Sequence, residues 1–172
     1  MPCPGARSAA SVAGMSFSDG GSDEPQRSDP GGVVDSPLGF VAEHIRRYVE
    51  SGGTETEVVD GLDMLLLTTR GRRSGKRRRT ALVYGLDEEG RYVLVASNGG
   101  APADPAWYLN LLADGEVELQ VGPDRFVARA RRATAEEKPR LWHLMTSLWP
   151  DYDTYRAKAP REIPLVVVEP LR

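Results

Sequence analysis

Apolar positions along the chain fall into short runs, and the period of each run predicts an element. SPLGFVAEHIRRYVESGG places Phe40, Ile45 and Tyr48 or Val49 on one face at helical spacing. Ser36 and Pro37 suit its start, and Gly52-Gly53 ends it. Glu57 to Thr69 reads as a strand: LDMLLLTTR is an apolar run short for a helix, closing on two β-branched threonines. Thr80 to Leu86 and Arg91 to Ser97 read as a hairpin joined by DEEG. Asp104-Pro105 predicts a helix start, with Asp as N-cap, ahead of AWYLNLLAD. Val117, Leu119 and Val121 alternate along a strand, GPD turns it, and Phe126, Ala128 and Ala130 point inward on the return. Thr134 to Glu137 has the form of a capping box before a helix through LWHLMTSLW, whose first turns Pro139 should perturb. Pro150 stops that helix, and Asp151 is placed to cap a short one holding Tyr152 and Tyr155. Ile163 to Glu169 is a last, buried strand.

Strands joined by hairpins and short connections predict a mostly antiparallel sheet of the α+β class. A small closed or split β-barrel with flanking helices accounts for every element and leaves no exposed edge. A regular βαβ alternation is missing, so a doubly wound dinucleotide fold is not expected. Residues 1–35 are rich in Gly, Ser, Pro and Ala and nearly devoid of large apolar side chains. They cannot bury enough surface to offset their ordering entropy, so a disordered tail is expected, followed by one domain over 36–172. Translation from Met15 rather than Met1 is compatible with that composition.

Charge refines this picture. Residues 1–35 carry five carboxylates against two arginines, and the remainder balances 20 basic against 20 acidic side chains. A neutral domain argues against nucleic-acid binding, which calls for a spread basic face. The one cysteine, Cys3, rules out a disulfide or cysteine metal site within the chain. Neither a secretory signal pattern nor an apolar run of membrane-spanning length is present. A cytoplasmic location is expected, with peripheral membrane contact still open.

Familiar catalytic patterns are absent: HExxH, GxSxG, GxxxxGK[ST] and paired cysteines do not occur. His44 and His143 lie in separate helices, and both read as packing or surface residues rather than ligands. No metal site is expected. Any redox chemistry would therefore come from a bound organic cofactor. Two stretches could hold one. Seven of the ten residues Arg70 to Arg79 are Arg or Lys, and Gly71, Gly75 and Ser74 add a tight turn and a hydroxyl donor. Such a turn binds phosphate or carboxylate, or is merely a solvated charged loop. SNGGAPADPAWYLNL supplies a Gly-Gly loop and a helix whose positive end points back at it. Asn110, in an apolar helix, calls for a partner.

LLLTTRGRRSGKRRRTALVY, ASNGGAPADPAWYLNLLADGEVELQVG, ARRATAEEKPRLWHLMTSLWPDYDTY and REIPLVVVEP, in that order, resemble the deazaflavin-dependent nitroreductase family. The resemblance spans about residues 55–170. It implies a split β-barrel related to the flavin-mononucleotide-binding barrels, and coenzyme F420 in a groove with its phosphate and polyglutamate tail in a basic channel. By that resemblance Arg72, Arg73, Ser74 and Arg78 meet the anionic part. Arg79, Thr80, Ala81, Leu82 and Val83 form the strand backbone beside the cofactor. Ala96, Ser97 and Asn98 lie near the ring, and Ala106, Trp107, Tyr108 and Asn110 complete the groove. Tyr152 and Tyr155 line the substrate side, with Trp149 where some relatives carry another aromatic residue. Relatives often have Lys where this chain has Asn98, in an SKGGA pattern, which exchanges a cation for a neutral donor.

The expected activity is hydride transfer from reduced F420 to an apolar, electron-poor small molecule: a quinone, an activated enone or a nitroaromatic. Tyr152 or Tyr155 would hydrogen-bond the acceptor. The alternatives are a flavin mononucleotide (FMN) reductase on the same fold and a non-catalytic F420 carrier. Either a monomer or a homodimer is compatible with the sequence.

Overall fold

The computed structural model describes residues 32–36, 39–54 and 62–171. Through them the chain runs β1 (Val33–Asp35), α1 (Gly39–Glu50), β2 (Met64–Arg70), β3 (Arg77–Val83), β4 (Gly85–Leu86), β5 (Tyr92–Val95), a 3-10 turn (Asn98–Gly100), α2 (Ala106–Ala113), β6 (Glu116–Val121), β7 (Asp124–Arg132), α3 (Lys138–Leu148), α4 (Asp151–Lys158) and β8 (Leu165–Pro170). The strands form one eight-stranded sheet in the order β1-β3-β2-β6-β7-β8-β5-β4. β1 runs parallel to β3, and the other pairings among the described residues are antiparallel.

Strand alternation sorts the core into two clusters. Leu65, Leu67, Leu82, Leu94, Leu119 and Val166 gather around Trp107, Tyr108 and Leu111 of α2. Leu82 on β3 and Leu94 on β5 stand near opposite ends of the strand order, so the sheet must curl to bring them together. Neighbouring residues face the other way: Met64, Leu66, Ala81, Val83, Val95 and Val167 pack with Ile45 and Tyr48 of α1 and with the aromatic residues of α3 and α4. A strand buried on both faces needs no polar alternation, which explains the unbroken apolar runs of β2 and β8. The result is the expected α+β class: a curled, mostly antiparallel sheet with helices on its flanks.

Several local expectations are corrected. The DEEG turn joins only a two-residue stub, Gly85 with Val93 and Leu86 with Tyr92. Asp87 closes it by accepting the backbone N–H groups of Glu89 and Arg91 and the Arg91 side chain. The long hairpin is instead β2–β3, paired from Met64 with Val83 to Arg70 with Arg77, and the basic turn is its loop. β1 lies inside the stretch expected to be a disordered tail. Val33 and Val34 are buried there, alongside Arg77 and Arg78 on β3. Residues 1–31 of that tail, and 57–61 of the predicted second element, lie outside the described residues.

Neither Asp104 nor Asp151 caps a helix. α2 and α4 start on Pro105 and Pro150 without a side-chain cap: the Asp104 carboxylate is engaged by Arg161, and Asp151 is the first residue inside α4. Pro139 sits in the first turn of α3, where its missing N–H costs nothing. The capping box does form: Thr134 N–H donates to Glu137 at 2.9 Å, and Glu137 N–H to Thr134 Oγ1 at 3.2 Å. His44 is buried on α1, edge-on to Tyr48, whereas His143 is exposed.

Candidate functional site

The tip of the β2–β3 hairpin turns on Gly71 and Gly75. Gly71 N–H donates to the Lys76 carbonyl, and Gly75 N–H to the Gly71 carbonyl, with Gly75 at φ +70°. A Cβ on Gly71 would stand 2.8 Å from Ser74 Oγ and 3.3 Å from Arg78 Nε. The missing side chain therefore lets Ser74 and Arg78 close over the turn. Period-two alternation then separates the arginines of β3: Arg78 faces one side of the sheet, Arg77 and Arg79 the other.

Residues 96–106 bring Ala103, Asp104 and Ala106 opposite this tip. Asn98 takes a left-handed backbone, φ +48°, and its Nδ2 donates to the Ala103 carbonyl at 2.9 Å. Gly100, at φ +82°, lies against the backbone of Tyr155 in α4. Arg161, from the segment before β8, reaches into the loop and donates to the carbonyls of Ser97 at 2.9 Å and Ala101 at 3.0 Å. The same guanidinium meets Asp104 Oδ1 at 2.7 Å.

Between hairpin and loop lies a groove of about 390 Å³. Arg72, Arg73, Ser74 and Arg78 form one wall, and Ala103, Asp104, Ala106 and Asn110 belong to the other. Asn110 stitches the walls together: its Oδ1 accepts both the backbone N–H and the guanidinium of Arg72, each at 3.2 Å. Three guanidinium groups and a hydroxyl thus converge against a single carboxylate among the described residues, and Arg161 neutralises it. Such a set of donors suits a polyanion.

The other residues matched by the resemblance stand elsewhere. Arg79 points to the opposite face and forms a two-pronged ion pair with Asp35, at 2.6 and 3.1 Å. Thr80 is half-buried on the hairpin strand, and the side chains of Ala81, Leu82 and Val83 are core. Ala96, Ser97 and Asn98 are buried beneath the loop rather than along the groove. Trp107 and Tyr108 pack edge-on inside the curled sheet, although both belong to the helix whose Ala106 and Asn110 line the groove. Burial pushes the Tyr108 phenol pKa up.

Tyr152, Tyr155 and Trp149 sit together in the second core cluster, away from the groove walls. Burial raises both phenol pKa values, so each stays protonated at neutral pH. Tyr155 Oη and Trp149 Nε1 are buried without a hydrogen bond of ordinary geometry, though the indole is near enough to oppose the rise at Tyr155. The residues sequence reasoning passed over are Arg161, Asp104 as a groove carboxylate, Ala103 and Leu109. A lone arginine before an apolar strand gives no local signal; only the fold carries it to residues 96–104. Among the described residues no three His, Cys, Asp or Glu side chains cluster as a metal site, and no helix is long and apolar enough to cross a membrane.

A model described as F420H(2)-dependent quinone reductase matches residues 40–170. The chain belongs to that family. It is accordingly an oxidoreductase whose cofactor is coenzyme F420. An F420H(2)-dependent quinone reductase of Mycobacterium tuberculosis is 38% identical over 107 residues, 60% of this chain and 71% of the relative. A solved F420-H2 dependent reductase, FDR-A, superposes with a TM-score of 0.57 at 38% identity, covering 66% of this chain and 98% of its own. A solved domain-swapped dimer superposes at 0.59 and 37% identity, covering 78% and 100%. The groove fits the anionic part of such a cofactor: its donors are arginines and a serine, and the Asp104 carboxylate is already paired.

Proposed function

We propose that this member of the family reduces a quinone with F420H2, and that the groove between the hairpin tip and α2 holds the anionic part of the cofactor. When bound, reduced F420 supplies the hydride. Arg72, Arg73, Arg78 and Ser74 bind its negative charge, and Asn110 orients Arg72. The backbone of Thr80 to Val83, paired with Leu67 to Met64 of β2, is the floor along which the cofactor would lie. The protein's contribution to rate is then positioning of donor and acceptor rather than acid–base chemistry of its own.

The observation that carries this reading is the convergence of three guanidinium groups on one groove in an otherwise neutral domain. The family description favours quinones as the acceptor; nitroaromatics and activated enones share the same electron-poor character. The solved relative described as a domain-swapped dimer supports a homodimer. Fluorescence titration with F420, followed by absorbance assays of F420H2 oxidation with menadione and a nitroimidazole, tests the proposal. Tight binding with quinone turnover supports it; binding without any acceptor reduction returns the carrier reading.

A further inference from the structure

Asp104 is an unexpected lining for a groove that collects anions. A carboxylate beside three guanidinium groups lowers the local potential where an anionic ligand must come to rest. Arg161 answers that problem from across the fold. Its Nη1 lies 2.7 Å from Asp104 Oδ1, and with side chains 15% and 29% exposed the pair is partly shielded from screening. Nε and Nη2 hold the carbonyls of Ala101 and Ser97, which fixes the loop carrying Ala103 and Asp104. α4 backs the same loop, with Tyr155 lying against Gly100.

We infer that Arg161 is a positioning residue of the cofactor groove, acting through Asp104: it sets the wall opposite the arginines and cancels the negative charge of Asp104. The inference rests on the proposed function of that groove. Arg161 does not line the groove, and its effect is transmitted in two separable parts, one geometric and one electrostatic. The carbonyl bonds are the geometric part, and the pair with Asp104 is the electrostatic part. Removing Arg161 leaves Asp104 unpaired at the groove wall. Removing both side chains restores the charge balance but not the carbonyl bonds.

The test compares full-length wild type, Arg161→Ala, Arg161→Lys and Arg161→Ala/Asp104→Asn by F420 fluorescence titration and by thermal unfolding. Arg161→Ala is expected to raise Kd about tenfold. The double variant should regain at least about half of that loss on a logarithmic scale while its Tm stays as low as that of Arg161→Ala. Arg161→Lys, which keeps the cation, should bind within about threefold of wild type, and it serves as the folded comparison if Arg161→Ala is too unstable to titrate. A double variant that binds no more tightly than Arg161→Ala, or a lysine variant as weak as the alanine one, overturns the inference while F420 binding by wild type still stands. Wild type that fails to bind F420 overturns the proposed function as well.

Discussion

Asn110 and Arg72, 38 residues apart, meet where Asn110 Oδ1 accepts the Arg72 backbone N–H and its guanidinium, each at 3.2 Å. Asn110 Nδ2 donates in turn to Thr69 Oγ1 at 3.2 Å, so one buried amide ties α2 to the end of β2 and to the first arginine of the turn. Asn110→Leu leaves the buried Thr69 hydroxyl and the Arg72 N–H without this partner. A loss of roughly 1–3 kcal/mol in urea unfolding is expected, with weaker F420 binding because Arg72 is no longer aimed. An unchanged urea midpoint would contradict the bracing role.

Arg79 separates stability from binding. It is buried against Asp35, and strand alternation turns it away from the groove that Arg78 lines. Arg79→Met should destabilise the fold by about 3 kcal/mol, since the Asp35 carboxylate loses its partner. F420 affinity of the folded fraction should stay within a factor of about two. A large loss of affinity with little loss of stability would place Arg79 on the cofactor side after all.

His44 and Glu137 contribute to the acid limb of stability in different windows. Burial, helped by Arg47, lowers the His44 pKa from 6.5 to about 4. The unfolded chain takes up a proton near pH 6.5 that the folded chain refuses until about pH 4. Stability present above 6.5 is therefore lost across that interval, on the order of 3 kcal/mol at most. Glu137 is held down to about 2, chiefly by the Arg131 side chain and then by the Thr134 N–H. Its contribution is present above pH 4.5 and lost as pH falls toward 2. Denaturation midpoints against pH should flatten between 6.5 and 4 in His44→Gln, and only below 4.5 in Glu137→Gln.

Gly100 tests the loop directly. Its φ of +82° strains any other residue, and a Cβ there would stand 2.9 Å from the Tyr155 carbonyl, a backbone atom that cannot swing aside. Gly100→Ala should cost about 1–3 kcal/mol and weaken F420 binding by displacing Ala103 and Asp104. Gly90→Ala, with a similar φ of +75° but open space around it, should cost stability alone. Equal F420 affinity in both variants would break the proposed link between α4 and the groove.

Much of this was legible in the chain because its signals are local. The Thr134–Glu137 box, the basic turn and the apolar runs of β2 and β8 each announce themselves within a few residues. The partner of a strand does not: Thr80 to Val83 looked tied to the DEEG turn, yet β3 pairs back onto β2. Asp104 looked like a helix cap until Arg161, 57 residues on, claimed its carboxylate. Tyr152 and Tyr155 showed helical spacing but not depth, and both are core. The family motif brought Arg72, Arg78 and Asn110 to one place. What it could not convey is the ion pair that holds Arg79 to Asp35 on the opposite face, because that depends on strand register.

The central claim is that the groove between the hairpin tip and α2 grips the anionic part of F420. Titration of wild type, Arg72→Ala and Arg78→Ala with F420, followed by its fluorescence at low and moderate salt, tests it most directly. Saturable binding by wild type is expected, with each variant weaker by about 1.5–3 kcal/mol, tenfold or more in Kd. Identical titration curves for all three proteins would contradict it.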